Sequence, residues 1–386
     1  LAPAPAEGER LRVRFFAALV LVWTGSARAD DLSASAAVGA GAQGTATYGA
    51  LELHVDQAWR TEHLDLGMRG VWDSGAFRRS DWASIADAVT IVRDFGATAE
   101  LDGGGHLAIA AGALAPSHVG RLVDGYRSTL DDRWRTGVRT AAATEDTDAV
   151  LEIDDVLDPT VIAGAVDYQV AAPWRAHLAI ALDPTAPALA LQTRVATSVE
   201  AGASYRIESE TARTDLGASL VAELGLGFTA VGYAESTIIR GDTRYTLRGD
   251  ARGGSGTAGN MFGPLYRVER LTMWQRAHAG ELDGGSIGAT AGVAISNGWL
   301  ELGARARPGL GALATVNAGT ARAKRVQAAV WAAASSHDGA GAAELRVVWA
   351  KRLFSALQAA RIYQFTDPMQ PTAVWSVTAW FGASSS

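Results

Sequence analysis

TAVWSVTAWF, residues 372–381, carries two different faces. Every second residue from Ala373 is apolar: Ala373, Trp375, Val377, Ala379 and Phe381. The intervening set, Thr372, Val374, Ser376, Thr378 and Trp380, is mixed and half hydroxylated. A period of two belongs to an extended strand, whose side chains point alternately to opposite sides. The stretch therefore predicts a strand lying between an apolar medium and a wetter one.

The same alternation recurs in stretches that close into hairpins. In SIGATAGVAISNGWLELGARAR (286–307), Asn297-Gly298 is the strongest two-residue hairpin signal, since a type I′ turn needs positive φ at both central positions. A turn there pairs Ile295 with Leu300, Val293 with Leu302 and Ala291 with Ala304 on an apolar face. The other face carries Glu301, Arg305 and Arg307. In residues 47–72, a turn at Trp59-Arg60 pairs Val55 with Leu64, Leu53 with Leu66 and Leu51 with Met68. The reverse face then sets His54 against Asp65 and Asp56 against His63. In residues 160–182, a three-residue turn at Ala172-Pro173-Trp174 pairs Val170 with Ala176, Tyr168 with Leu178 and Val166 with Ile180. Gln169 and His177 then share the other face, with Asp167 beside Ala179. Further period-two stretches lie at 88–101, 105–114, 133–142, 197–209, 216–224, 323–333 and 344–353, and no amphipathic helix of three turns stands between them.

Composition narrows the setting. Hydrophobic residues make up 48%, which excludes a wholly disordered chain, while the charged fraction of 19% is low and Gly numbers 43. With no Cys there is no disulfide framework and no thiolate site. Arg10, Arg12 and Arg14 precede the apolar run Phe15 to Trp23, and Ala27-Arg28-Ala29 follows as a small-x-small cleavage site. Nine apolar residues rise only about 13 Å as a helix, too short to span hydrocarbon. Residues 1–29 are thus expected to be a cleaved secretory signal peptide and residues 30–386 the exported domain. Removing that segment moves the formal net charge from −7 to −9. An acidic exported protein is not expected to bind nucleic acid.

Strands of about nine to eleven residues with one apolar face span a tilted ~25–30 Å apolar layer. A β-sandwich shows the same alternation, but three features favour a barrel: the number of such strands, the small and charged residues on their other faces, and the two classes of connection. Tight turns at 171–174 and 297–298 contrast with long polar stretches at 73–87, 115–131, 144–159 and 241–264. On these grounds the chain resembles bacterial outer-membrane β-barrel proteins of porin-like type, which commonly end in an alternating strand finishing on Phe or Trp. Here Gly382-Ala383-Ser384-Ser385-Ser386 follow Phe381, where that family usually stops. The expected fold is all-β: a transmembrane, antiparallel, up-and-down barrel of about 16 strands, within a range of about 14 to 18.

Several patterns imitate catalytic motifs. Gly39-Ala40-Gly41-Ala42-Gln43-Gly44 matches G-x-G-x-x-G but lacks a strand-turn-helix context, and a small-residue strand is the better reading. Gly284-Gly285-Ser286-Ile287-Gly288 has nucleophile-elbow spacing but runs into a strand, whereas the elbow turns into a helix. The seven histidines show no H-x-x-x-H pair, and no metal or cofactor is expected. The His54–Asp65 and Asp56–His63 neighbours read as opposite-sign pairing on a wet face. The acidic residues between Glu145 and Asp158 read as one solvated outer loop, with cation binding as the sharper alternative. Arg240-Gly241-Asp242 and Arg248-Gly249-Asp250 read as a chance tripeptide in a polar loop, and GNMFGPLYRVER (259–270) as a loop that folds into the mouth or caps it.

The expected function is a porin-like channel in the bacterial outer membrane for small hydrophilic solutes or ions, with weak ion selectivity and no enzymatic role. A plugged barrel serving as an anchor or subunit of an envelope assembly is the main alternative; a barrel hydrolase and a soluble secreted β-protein rank lower. Expected lumen residues are Glu52, His54, Asp56, Asp65, Arg69, Asp167, His177, Glu301, Arg305 and Arg307. Expected lipid-facing residues are Leu53, Leu66, Tyr168, Leu178, Ile295, Leu300, Leu302, Trp375 and Phe381. Expected partners are membrane lipid and lipopolysaccharide, the outer-membrane assembly machinery, and a homo-oligomer or envelope complex.

Overall fold

The structure is a computed structural model. It describes residues 32–58, 62–73, 76–80, 92–101, 104–112, 114, 117–127, 136–185, 195–224, 227–254, 262–266, 268–269, 288–297, 300–307, 311–319, 325–335, 338–350, 352–364 and 372–384. The expected signal segment lies outside them. No described helix is long and apolar enough to cross a membrane.

The chain is built from antiparallel strands joined to their neighbours in sequence. β1 (Leu32–Gln43), β2 (Ala46–Ala58) and β3 (Glu62–Asp73) pair in turn; short β4 (Ala76–Ser80) pairs with the end of β3. β5 (Val92–Leu101) pairs with β3, and β6 (Gly105–Gly112) with β5. The chain then makes a separate two-stranded hairpin, β7 (Ser117–Val119) and β8 (Val123–Tyr126). β9 (Gly137–Ala143) returns to pair with β6. From β10 (Thr147–Ile153) the meander continues through β11 (Ile162–Ala171), β12 (Trp174–Asp183), β13 (Ala196–Glu208), β14 (Ala212–Glu223), β15 (Gly227–Arg240) and β16 (Thr243–Gly254). It ends with β17 (Gly288–Ser296), β18 (Leu300–Arg307), β19 (Gly311–Gly319), β20 (Val326–Ser335), β21 (Gly339–Ala350), β22 (Leu353–Gln364) and β23 (Thr372–Ser384). β23 pairs back onto β1, from Ser35 opposite Ser384 to Gln43 opposite Ser376.

That last ladder closes the sheet. Of its 21 strands, 20 form the ring and β4 hangs from β3 alone. The expectation of about 16 strands is thus too low. The strands that escaped notice are β10, β15, β16, β19 and β22, and β1 was expected only as a small-residue strand at Gly39–Gly44. Several are written in Gly, Ala and alternating charge rather than large apolar residues, so their outward faces are faint in sequence. Residues 144–159 and 241–264, expected as long loops, contain the whole of β10 and of β16.

The closing strand does what its two faces imply. Trp375, Val377 and Phe381 are exposed outside, with Trp375 at 68%, while Ser376, Thr378 and Trp380 are buried inside. Pairing runs past Phe381 to Ser384, so the residues after the aromatic extend the seam. Gly39 on β1 lies opposite Trp380, and a Cβ there would sit 2.7 Å from the indole ring. The bare backbone lets the ring fold flat across the seam, with its Nε1–H donating to Gln358 Oε1 at 2.8 Å.

All three hairpin registers differ from expectation by two residues. Ile295 faces Leu302, not Leu300; Val55 faces Leu66, not Leu64; Tyr168 faces Ala176, not Leu178. Asn297 N–H donates to Leu300 O, which places 298–299, outside the described residues, between the paired positions. The expected turn residues Trp59 and Arg60 also lie outside them. A shift of two leaves every side chain on its face, because alternation fixes parity and only the turn fixes the even offset.

Connections sort by end. One end carries short connections such as 59–61, 102–104, 144–146, 172–173, 209–211, 241–242 and 351–352; the other carries the long ones, 74–91, 113–136, 184–195 and 255–287, together with short ones such as 44–45 and 224–226. The end that carries the long loops is the outer rim and the other the periplasmic one. The acidic residues expected in one loop are therefore split, with Glu145 and Asp146 at the periplasmic rim and Asp154, Asp155 and Asp158 at the outer rim.

Candidate functional site: a charged cavity beside two inserted loops

The outside of the ring is apolar along its height. Tyr168, Leu178 (55% exposed), Ile180, Leu216, Leu220, Leu247, Val293, Leu302, Leu345 and Leu357 all stand exposed. Toward the periplasmic rim the exposed residues become aromatic: Trp174, Tyr205, Tyr245, Trp349 and Phe381, with Trp174 and Tyr205 in edge-to-face contact at 5.1 Å. Phe228 and Trp375 hold the opposite rim. In water such a surface would be a large uncompensated apolar area. In lipid it is the required face, and pairing of β23 with β1 closes the ring so that its described strands present no open sheet edge to lipid. The fold is that of an outer-membrane β-barrel.

Inside the barrel, two outer loops fold inward. The first is the β7–β8 hairpin. Val119, Leu122, Val123 and Tyr126 are buried with Phe262 and Tyr266 of the second loop against Val161, Ala163, Ala165, Ala179, Ala181, Ala196, Val221 and Val231 of the wall. Alanines on the inner face of β11–β13 leave the space that the hairpin fills. Gly120 turns the hairpin with φ +54°, and a Cβ there would lie 2.6 Å from that of Ala179. Only glycine meets both the left-handed backbone and that close approach.

Polar contacts fix the seat. Tyr126 donates its hydroxyl to Asp154 Oδ2 at 2.6 Å, while Asp154 Oδ1 accepts from the backbone of Thr160 and Val161. Tyr266 donates to Asp183 Oδ2 at 2.8 Å, and Arg121 N–H to Glu200 Oε2 at 3.0 Å. Asp124 N–H donates to Phe262 O at 3.1 Å, joining the two loops. Leu265 and Val268 of the second loop pack toward Leu313, Ala333 and Ala340, so this segment bridges to the β19–β21 wall. The reading of residues 259–270 as a loop folding into the mouth holds for the part described.

Asp124 is the electrostatic centre of the hairpin. It meets His118 Nδ1 at 2.9 Å, Arg248 at 3.1 Å and Arg305 at 2.7 Å. Burial works against its ionisation, but the His118 hydrogen bond and the two guanidiniums outweigh that and hold its carboxyl well below the usual carboxylate range. Arg127, just beyond β8, stacks its guanidinium 4.5 Å from the Trp331 ring. Burial pulls Arg127 down to about 10, partly offset by Glu301. Neither group belongs to a spanning strand.

Beside the loops runs a cavity of about 490 Å³, lined by Arg121, Asp124, Arg127, Glu235, Arg244, Arg248, Asp250, Arg252, Glu301 and Arg305 among others. Arg244, Arg248, Asp250 and Arg252 are alternate residues of β16, so their span follows the strand for roughly 26 Å at ~3.3 Å per residue. The cavity is therefore elongated along the barrel wall. Arg121 lies 3.8 Å over the Tyr233 ring and 3.9 Å from Asp250; Arg248 also pairs with Glu235 at 3.0 Å.

No family model matches the sequence, and no curated protein matches it as a relative. Solved structures similar to it include OccK5 (OpdH) of Pseudomonas aeruginosa, with TM-score 0.36 and 9% identity over 92% of this chain and 98% of that one. OccK11 (OpdR) of the same organism gives 0.35 and 11%, over 92% and 94%. Wzi of Escherichia coli, described as a carbohydrate-binding β-barrel involved in group 1 capsule assembly, gives 0.31 and 11%, over 92% and 84%.

The barrel distributes the sequence-derived residues as follows. Glu52, His54, Asp56 and Asp65 share the inward face of β2 and β3, where His54 meets Glu52 at 2.9 Å and Asp65 at 3.2 Å. The His54–Asp65 contact exists even though Gly67 is the residue directly opposite His54. Asp56 faces Asp65, not His63. Asp167 faces His177, not Ala179, and His177 meets Glu200 at 3.2 Å. Glu301 and Arg305 line the cavity; Arg69 and Arg307 are placed only by register, opposite Glu52 and Gly311. Tyr168, Leu178, Ile295, Leu302, Trp375 and Phe381 are exposed on the outer face; Leu53, Leu66 and Leu300 lie on that face half-buried. Asp124, Arg121, Arg127 and Glu200 were missed. Arg248-Gly249-Asp250 is no loop tripeptide, since Arg248 and Asp250 point inward from β16. The alternation R-x-D-x-R from Arg248 to Arg252 was the available signal.

Proposed function

We propose that the barrel is a porin-like channel through which small hydrophilic solutes or ions cross the outer membrane passively. The observation that supports it is the elongated charged cavity beside the inserted loops. A polar passage lowers the cost of carrying a hydrated solute through hydrocarbon, and wall charges bias which ones pass. The wall residues proposed to meet solute are Glu301 and Arg305 at the cavity, with Glu52, His54, Asp56, Asp65, Arg69, Asp167, His177 and Arg307 elsewhere on the inward face. Charges of both signs favour weak selectivity between simple ions. A barrel sealed by its loops is not favoured, because a charged cavity remains between the described loop residues and the wall from β15 to β19. Export through a signal in residues 1–29, contact with lipopolysaccharide and insertion by the outer-membrane assembly machinery belong to the same reading. Purified protein in a planar lipid bilayer is expected to give stepwise conductance in potassium chloride; its absence in correctly folded protein would remove the channel.

A further inference from the structure

Arg244 of β16, Ser296 of β17, Glu301 of β18, Asn317 of β19 and Trp331 of β20 stand directly opposite one another in turn. All five line the cavity. Adjacent strands lie about 4.8 Å apart, so the row runs for about 19 Å across the wall. It also climbs. Arg244 is the second residue of β16 from the periplasmic end, whereas Trp331 is the sixth of β20. Barrel strands tilt about 35–45° from the axis, so a row at right angles to them winds up the passage.

Charges elsewhere in the cavity answer one another. Asp124 binds Arg248 and Arg305, Glu235 binds Arg248, and Asp250 stands 3.9 Å from Arg121. The row is different. Among the described residues, the side chains of Arg244, Ser296, Glu301 and Asn317 make no hydrogen bond and no ion pair. Two strand spacings, about 10 Å, keep Arg244 from pairing with Glu301. The row thus offers donors from Arg244 and Asn317, acceptors from Glu301 and Asn317, and a hydroxyl that does either, while its two formal charges cancel. A neutral solute with many hydroxyls, each both donor and acceptor, can use every one of them. At the upper end Trp331 adds a flat apolar surface. Its ring takes the guanidinium of Arg127 at 4.5 Å, so that face is turned to the inserted loop and not into the wall. A pyranose, with a face of C–H groups, stacks on such a ring in competition with Arg127.

Building on the channel reading, we propose that this row binds neutral oligosaccharides on their way through the passage. The test uses the full barrel in a planar lipid bilayer with potassium chloride, and cellotriose, an extended neutral trisaccharide, as the probe. Cellotriose is expected to lower the conductance saturably, while polyethylene glycol of the same mass does not. Trp331→Ala is expected to raise the half-blocking concentration about tenfold and Asn317→Ala about threefold, with Trp331→Phe close to wild type. Asn317→Ala keeps the test decisive should Trp331→Ala disturb the cluster of Leu265, Val268 and Leu313 against which the indole packs. Open conductance without sugar is read for each variant. A conducting barrel with no saturable block, with equal block by the glycol, or with block unchanged in both alanine variants overturns the oligosaccharide track and leaves the channel standing. No conductance from folded wild-type protein removes the channel and the track together.

Discussion

The inner faces of β11–β14 and of β16–β18 belong to one continuous sheet, yet they have opposite tasks. The first is lined by Ala163, Ala165, Ala179, Ala181 and Ala196, and seats the inserted loops. The second carries Arg244, Arg248, Arg252, Glu301 and Arg305 and borders open space. Small side chains make a socket because a folded hairpin needs volume, and apolar contact holds it there. Long charged side chains keep the other side hydrated, because seating an apolar segment over them would strip water from ions. Side-chain size on the inward parity thus decides where the lumen is filled. Asp124 joins the two regions: its hairpin rests on the alanine wall while its carboxylate reaches the arginines.

The largest change should come from filling the socket. Gly120→Val combines a left-handed backbone with overlap on Ala179, together roughly 2–5 kcal/mol against the seated hairpin. The expected result is a larger and noisier single-channel conductance in planar bilayers; unchanged conductance would mean that the hairpin does not set the passage. Asp124→Ala should cost less, about 1–3 kcal/mol, because Arg248 remains partly solvated when its partner goes. Rapid current flicker with an unchanged mean conductance is the expected reading. Tyr126→Phe and Tyr266→Phe each remove one bond to a buried carboxylate, on the order of 1–2 kcal/mol. Proteolysis of the hairpin should then be faster, with the barrel still resisting detergent unfolding.

The smallest effect is that of acid. A carboxyl held below its unfolded value of about 3.9 contributes its full stabilisation above that pH and loses it only as pH falls through the lowered native value. Asp124 is such a group. Current noise should therefore stay constant from pH 7 to about pH 4. A rise in flicker within that window would show that another group governs the hairpin.

Parity is what the sequence made legible. TAVWSVTAWF gives its outer and inner faces without reference to any partner strand, and so do Leu178 and His177 on β12. Register was not legible, since a turn displaced by one residue moves the pairing by two and leaves all faces unchanged. Strand number was under-read where outward positions are Ala or Gly, as at Ala230, Gly232 and Ala234 on β15 and Ala312 and Ala314 on β19. The socket was hidden for a different reason. Val119, Leu122 and Tyr126 are local in sequence, but the alanines they meet lie on three other strands, and nothing in a polar loop says which wall receives it.

Everything rests on alternate residues of one strand meeting water and lipid in turn. The chain has no cysteine, so single introduced thiols report without background. Arg248→Cys and Leu247→Cys are neighbours on β16, one at the cavity and one exposed outside. In proteoliposomes, a charged thiol reagent that does not cross lipid should label the first and spare the second. Equal labelling of both, or labelling of Leu247→Cys alone, would contradict a barrel with a hydrated interior and a lipid-facing exterior.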